Sequence, residues 1–208
     1  MNISIIDTES GNIKSLQIFF SRSFDCNINV SKYKDLNPDL SNILVLPGVG
    51  HFDHAMKCFN NSGLRSSLED LVLVEKIPLM GVCVGMHMLA SGSDEGNTSG
   101  LGWIPGHVRS LADNNFSSSL PMPHMGWNQL QIRNPSKIFT EGSKESPQFY
   151  FLHSYYFDAD EKSDVIATSN YGFDFDAVVS HNNIFGVQCH PEKRHRWGQQ
   201  MLYNFVEN

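Results

Sequence analysis

The sequence predicts an α/β fold: a single domain with a central, largely parallel or mixed sheet and helices on both faces. Three observations point there. Short apolar runs alternate with longer segments whose apolar residues recur at helical spacing, most regularly in the first half. From about residue 107 the pattern changes to strand-like pieces joined by turns. With 208 residues, 40% hydrophobic and 18% charged, the chain suits one full core better than two small ones. No internal repeat or long linker divides it, so the domain is expected to span 1–208.

Ile3 to Asp7 reads as a buried strand, and Asn12 to Arg22 as a helix with Ile13, Leu16, Phe19 and Phe20 on one face. Cys26 to Ser31 reads as a second strand. Asn42 to Pro47 is a clearer one, ending in the turn Gly48-Val49-Gly50. Helical patterns follow at Phe52 to Asn60 and Leu64 to Glu75. Pro78 to Val82 is a short apolar strand, and Met86 to Ala90 opens another helix. Strand–helix–strand order implies parallel strands, because each crossover must return over one face of the sheet. In the second half, Trp127 to Ile132, Gln148 to Leu152, Asp164 to Thr168, Ala177 to Ser180 and Ile184 to Gln188 read as strands. Asn114 to Pro123 reads as a surface loop. The last segment, His195 to Val206, places Trp197, Met201, Leu202 and Phe205 at helical spacing.

The formal charge of −7 comes without any basic stripe, and such a field repels phosphate backbones, so no nucleic-acid partner is expected. No apolar run approaches the ~20 residues that span a bilayer, and no membrane association is expected. The opening residues lack the charged and apolar regions of a signal peptide. The four cysteines, Cys26, Cys58, Cys83 and Cys189, show neither C-x-x-C spacing nor the density of a disulfide scaffold. A cytoplasmic location with reduced thiols is expected.

Gly81-Val82-Cys83-Val84-Gly85 follows an apolar strand and precedes a helical pattern. It matches the elbow on which two glycines allow a tight turn and lift a nucleophile above the strand ends. A helix N-terminus beside the thiol favours its thiolate. The plain alternative is a small buried cysteine. Phe185 to Glu192 adds a second piece: an apolar strand leading into Cys189-His190-Pro191-Glu192. A thiol needs a base to move its proton, and that base needs a partner to fix its tautomer; His190 and Glu192 fit those roles. Pro47-Gly48-Val49-Gly50 is the third piece. Attack on a carboxamide creates an oxyanion, and backbone N–H groups at Val49, Gly50 and Val84 are candidate donors to it.

Together these stretches resemble the class I (triad) glutamine amidotransferases, most closely the glutaminase subunit type found in imidazole glycerol phosphate synthase. The similar segments are Leu46 to Gly50, Gly81 to Met86, Gly100 to Gly106, Pro123 to Asn128, Phe151 to Tyr156 and Gly186 to Lys193, in family order along nearly the whole chain. The resemblance implies hydrolysis of L-glutamine through a thioester, with Cys83 attacking, His190 moving the proton and Glu192 orienting His190. It implies release of ammonia to a (β/α)₈-barrel synthase subunit in histidine biosynthesis. It also implies that Gly48, His87, Glu95, Ser154 and Tyr155 bind glutamine, and that Gly11, Asn12, Trp127 and Lys193 face the partner.

Three departures stand out. His87 occupies a position where the family usually has Gln, Thr8-Glu9-Ser10 replaces a glycine-rich family turn, and Cys189 stands for a usual Phe. Strand alternation turns Cys189 away from the His190 face, so it reads as packing. Two other readings stay open: a divergent copy supplying ammonia for surface-polysaccharide sugars, and an inert regulatory binding subunit. His51 and His54 bracket Asp53 but lack a third ligand, so they read as a solvated helix turn and no metal is expected. The glycines after Leu46 have neither P-loop nor dinucleotide spacing, and no cofactor is expected.

Overall fold

The computed structural model describes residues 2–7, 12–31, 42–113, 120–139, 146–193 and 196–207. The first half runs β1 (Asn2–Ile6), α1 (Ile13–Ser23), β2 (Asn27–Ser31), β3 (Ile43–Gly48), α2 (Phe52–Asn61), α3 (Arg65–Glu69), β4 (Leu79–Cys83) and α4 (Val84–Met88). The second half runs β5 (Gly106–Ser110), β6 (His124–Gln129), β7 (Gln131–Ile132), β8 (Gln148–His153), β9 (Tyr155–Ala159), β10 (Val165–Asn170), β11 (Asp174–His181), β12 (Ile184–Val187) and α5 (Arg196–Glu207).

Among the described residues, ten strands form one sheet whose main path is β2-β1-β3-β4-β12-β11-β10-β7, with β9 pairing β11 and β5 pairing β9. The run from β2 to β12 is parallel, and pairing beyond β12 is antiparallel. β6 and β8 make a separate antiparallel ribbon. The expected mixed α/β sheet is therefore present. Every residue of β3, β4 and β12 is buried, as continuous apolar strands covered on both faces must be. The β2 edge and β6 instead alternate between exposed and half-buried positions, each with one buried residue at an end.

The helix α1 buries Leu16 and Phe20 and half-buries Ile13 and Phe19, the face its spacing marks out. Elsewhere the chain departs from its simplest reading. The segment Leu64 to Glu75 is not one α-helix: α3 widens into a π-helical turn over Asp70–Val74. The stretch Trp127 to Ile132 is two strands in two sheets. It breaks at buried Leu130, whose amide donates to Pro147 O (2.8 Å) while β7 joins β10. β5 and β9, absent from the strands read in the sequence, pair with each other, and β9 also pairs with β11. The proposed loop at Asn114 to Pro123 lies partly outside the described residues; Pro121 to Pro123 are exposed.

α4 begins at Val84, directly after β4, and lasts five residues. Two constraints fix its place. Its last carbonyls accept from the next loop, with Leu101 N on Met88 O (2.8 Å) and Trp103 N on Leu89 O (2.9 Å). Its first turn lies against bare backbone of three strands. A Cβ on Gly48 would come within 2.6 Å of Gly85 N, one on Gly81 within 2.7 Å of Gly85 O, and one on Gly186 within 2.7 Å of Met86 Cγ. A Cβ on Gly85 would stand 1.8 Å from Leu46 O. Glycine is required at this crossing because nothing larger fits.

Gly85→Ala is therefore expected to destabilise the fold by about 3 kcal/mol or more, because rigid backbone rather than a movable side chain blocks the methyl. Urea unfolding monitored by circular dichroism checks this. An unchanged midpoint would contradict the packing.

Candidate functional site

Register alone brings the three sequence motifs together. In the parallel ladder Gly48 pairs with Cys83 across β3 and β4, and Val82 pairs with Val187 across β4 and β12. The chain leaves these neighbouring strands at their carboxyl ends, where ligands of open α/β sheets bind. Cys83 sits at φ 55°, ψ −114°, a strained backbone for an L-residue. That turn is the elbow, and it leaves Cys83 5% exposed at the cavity wall. Because α4 has only five residues, it offers the Val84 amide rather than a long helix dipole.

After β12 the chain bends, and His190 is held in place by its backbone amide donating to Tyr150 O (2.9 Å). Pro191 turns Glu192 back so that His190 Nδ1 donates to Glu192 Oε1 at 3.0 Å. Both side chains are buried, and Glu192 Oε1 also accepts from Asn12 Nδ2 (3.3 Å), whose Oδ1 accepts from Ser15 Oγ (2.8 Å). Burial disfavours the imidazolium of His190. Hydrogen bonds to Cys83 and Glu192, together with the negative charges of both, outweigh it and raise the pKa to about 10. The sulfur lies 3.9 Å from Leu152 O and 3.9 Å from Gln188 Nε2.

These groups open onto a cavity of about 310 Å³ lined by Val49, Gly50, Cys83, Val84, His87, Glu95, Pro123, Leu152, His153, Ser154, Tyr155 and His190. The expected nucleophile, base, oxyanion donors and most expected glutamine-binding residues thus share one wall. Gly48 stands behind that wall, under Gly85. Glu95 is anchored by accepting from Phe52 N (2.9 Å) at the start of α2. His87 is 3% exposed, with Nε2 on Gln188 Oε1 at 2.7 Å and Nδ1 buried without a partner; burial lowers its pKa to about 4.

Of the residues expected to face a partner, Asn12 bonds the triad carboxylate. Trp127 is 50% exposed and packs edge-on to Tyr150, whose other neighbour is Lys193 Nζ, 5.3 Å from the ring centre. Gly11 and the Thr8-Glu9-Ser10 departure lie outside the described residues. Cys189 is fully buried, a packing residue. Among the described residues no group of three His, Cys, Asp or Glu side chains could hold a metal ion. His51 Nδ1 instead caps α2 by accepting from Asp53 N (3.2 Å).

Sequence reading passed over several supporting residues. Asp53 accepts from Asn97 N (3.2 Å) and Thr98 N (2.9 Å), tying the Glu95 loop to α2; these bonds lower its pKa. His124 and His153 form a buried pair, Nδ1 to Nε2 at 2.9 Å. His153 Nδ1 donates to Tyr155 O (2.8 Å), so its Nε2 must accept from His124, and His124 Nε2 then accepts from Asn128 Nδ2 (3.2 Å). Burial lowers both histidines, His124 to about 4. Gln188, fully buried between His87 and Cys83, is the third omission. Strand alternation carried its signal, since it points to the same face as Gly186, beneath α4.

The raised pKa of His190 has a consequence for stability. The folded state holds its proton above the ordinary value of 6.5, so this contribution is full below pH 6.5 and is lost as pH rises toward 10. Denaturation midpoints of the wild type should carry such a decline between pH 6.5 and 10, and His190→Gln should remove that component. Identical slopes for the two proteins would contradict the charge pairing.

Comparison with known proteins gives the family. Residues 4–208 match the family model described as glutamine amidotransferase class-I. The imidazole glycerol phosphate synthase subunit HisH of Bdellovibrio bacteriovorus is 42% identical over 205 residues, covering 99% of each chain. The subunit of the same name from Leptospira interrogans is 42% identical, covering 98% of each chain, and that of Pelagibacter ubique is 40% identical, covering 99% of each. Among solved structures, PurLQS from Thermotoga maritima superposes with a TM-score of 0.74 at 15% identity, covering 99% of this chain and 97% of that one. A structure described as a glutamine amidotransferase superposes at 0.73 and 18% identity, with 99% and 97% covered. These last two speak for the fold alone. The chain belongs to the class I glutamine amidotransferase family.

Proposed function

We infer that this chain is the glutaminase subunit of imidazole glycerol phosphate synthase, hydrolysing L-glutamine and supplying ammonia for histidine biosynthesis. The observation that carries this reading is the meeting of Cys83 and His190 at one cavity, with Glu192 bonded to His190, in a chain about 40% identical end to end to subunits of that name. On this reading residues 1–208 act as one glutaminase domain.

The chemistry follows from the positions of the groups. Cys83 Sγ attacks the γ-carboxamide carbon, and the carbonyl oxygen becomes an oxyanion facing the amides of Val49, Gly50 and Val84. The C–N bond breaks as the His190 imidazolium gives its proton to the leaving nitrogen, releasing ammonia and a γ-glutamyl thioester. Water then attacks the thioester carbon while His190 takes its proton, and the C–S bond breaks to return the thiolate and glutamate. Glu192 keeps His190 in the tautomer that aims its other nitrogen at the sulfur. Glu95, Ser154 and Tyr155 supply polar groups for the amino-acid head, with Gly48 giving room behind the elbow and His87 closing the base of the cavity.

The ammonia acceptor is assigned to a (β/α)₈-barrel subunit docked over this rim. Val49 (42% exposed), Met125 (65%), Trp127 (50%) and Leu152 (44%) present apolar surface beside the cavity mouth, the composition of an interface core. Asn12, bonded to Glu192, and Lys193, beside the Tyr150 ring on which Trp127 packs, are assigned to the same interface, and Gly11 by its place in the sequence. A cytoplasmic enzyme without nucleic-acid or membrane partners is part of this proposal, and the acidic charge supports the absence of nucleic acid; among the described residues no helix is long and apolar enough to cross a membrane. The relatives' names favour the imidazole-forming synthase over a sugar-modifying one, and an assembled triad argues against an inert regulatory subunit.

Cys83→Ala should lower glutamine-dependent synthesis by the complex by roughly 10⁴-fold or more while ammonia-dependent synthesis continues. Loss of both activities would contradict a purely chemical role for the thiol. The isolated chain should also be a poor glutaminase. Gly50 sits at φ 92° with no atom within 4 Å of a Cβ position, so the Val49 turn is open to realignment by a partner. Binding the barrel subunit is expected to raise kcat by about 10²-fold or more, the scale of one oxyanion donor. Full turnover by the chain alone would remove that expectation.

A further inference from the structure

Beside the nucleophile, the fully buried Gln188 has no part in the mechanism, and its partner His87 serves there only to close the base of the cavity. Gln188 is 0% exposed and His87 is 3% exposed, so neither can exchange its partner for bulk water. His87 Nε2 meets Gln188 Oε1 at 2.7 Å, a short bond that fixes the amide plane. The other end of that amide, Nε2, points at Cys83 Sγ from 3.9 Å. With the amide so oriented, its oxygen faces the imidazole. His87 must then carry its proton on Nε2, leaving the unpartnered Nδ1 with a lone pair. The reversed amide would turn a carbonyl oxygen toward the sulfur and oppose negative charge there.

We propose that His87 is a positioning residue for the nucleophile: by gripping the Gln188 carbonyl it keeps the Gln188 amide N–H directed at Cys83 Sγ, where it supports the thiolate. The inference rests on Cys83 being the nucleophile. The surroundings of the sulfur then separate by protonation state. The thiol can give its hydrogen to Leu152 O at 3.9 Å, whereas a thiolate receives from Gln188 Nε2, with His190 lining the same cavity. The grip itself is insensitive to pH in the working range, because burial keeps His87 neutral until about pH 4. The other ionisable groups bearing on this corner are His153, held neutral by burial, Cys189, whose thiol burial pushes well up, Glu95 and Tyr155 on the cavity lining, and His190 with Glu192, already counted in the triad.

Alkylation of Cys83 by iodoacetamide tests this without needing a partner or an acceptor. The second-order rate is measured on the full chain from pH 5 to 9, with Cys83 distinguished from Cys26 and Cys58 by peptide mass spectrometry, and thermal midpoints are recorded alongside. His87→Phe and the volume-keeping Gln188→Met should each slow alkylation at pH 7 about tenfold and move its pH midpoint upward, the scale of one hydrogen bond to a charged group. His87→Gln, whose amide can donate to the same Gln188 oxygen, should return the rate to within about twofold of wild type. Wild-type rates and midpoint in both His87→Phe and Gln188→Met would overturn the proposal. So would a His87→Gln protein as slow as His87→Phe, or slowing by one constant factor at every pH, which is the mark of altered access. Inertness of wild-type Cys83 at all pH values would instead overturn the nucleophile assignment, and this inference with it.

Discussion

The site depends on one steric constraint, the crossing of α4 over the carboxyl ends of β3, β4 and β12 at backbone distance. Gly48, Gly81 and Gly85 meet there with no room for a methyl group, and Gly186 admits Met86 from above. The close crossing forces the turn at Cys83 into positive φ, and that turn holds the sulfur at the wall of the cavity. Strain of order 1–3 kcal/mol at such a residue persists only where the surroundings over-determine it. Here they do, because strand pairing on both sides of β4 fixes the residues before the turn and the 100–104 segment fixes the helix after it.

Electrostatics then build on that frame. The pKa of His190 is raised to about 10 despite its burial, by hydrogen bonding and charge from Cys83 and Glu192, so a proton is held at this ring beside the cavity. The neighbouring histidines are tuned the opposite way. His87, His124 and His153 are kept neutral by burial, and each serves as a directional hydrogen-bond link rather than a charge. One histidine carries a proton and three hold geometry, a division set by whether a carboxylate reaches the ring.

Much of this was legible in the sequence because the decisive features were local. A glycine-flanked cysteine after an apolar strand carries the elbow signal within five residues, and His190-Pro191-Glu192 carries its own turn. Parallel order followed from strand–helix alternation, and register then placed the motifs without further information. What stayed hidden depended on distant partners. β5 and β9 are strands because they pair with each other, not because Gly106 to Ser110 is apolar. Leu130 ends β6 through a bond to Pro147 O that no local pattern announces. The pairing of His124 with His153 joins two strands of a ribbon, and Gln188 gained its place from α4, far away in the chain.

The central claim is that one of four cysteines, all of them free thiols, has been turned into a nucleophile by the fold around it. Intact-protein and peptide mass spectrometry after exposure to a diazo-ketone analogue of glutamine tests it most directly. The account predicts a single adduct, on Cys83, suppressed by excess L-glutamine, with Cys26, Cys58 and Cys189 unmodified. An adduct on another cysteine, or none at all in the assembled complex, would contradict it.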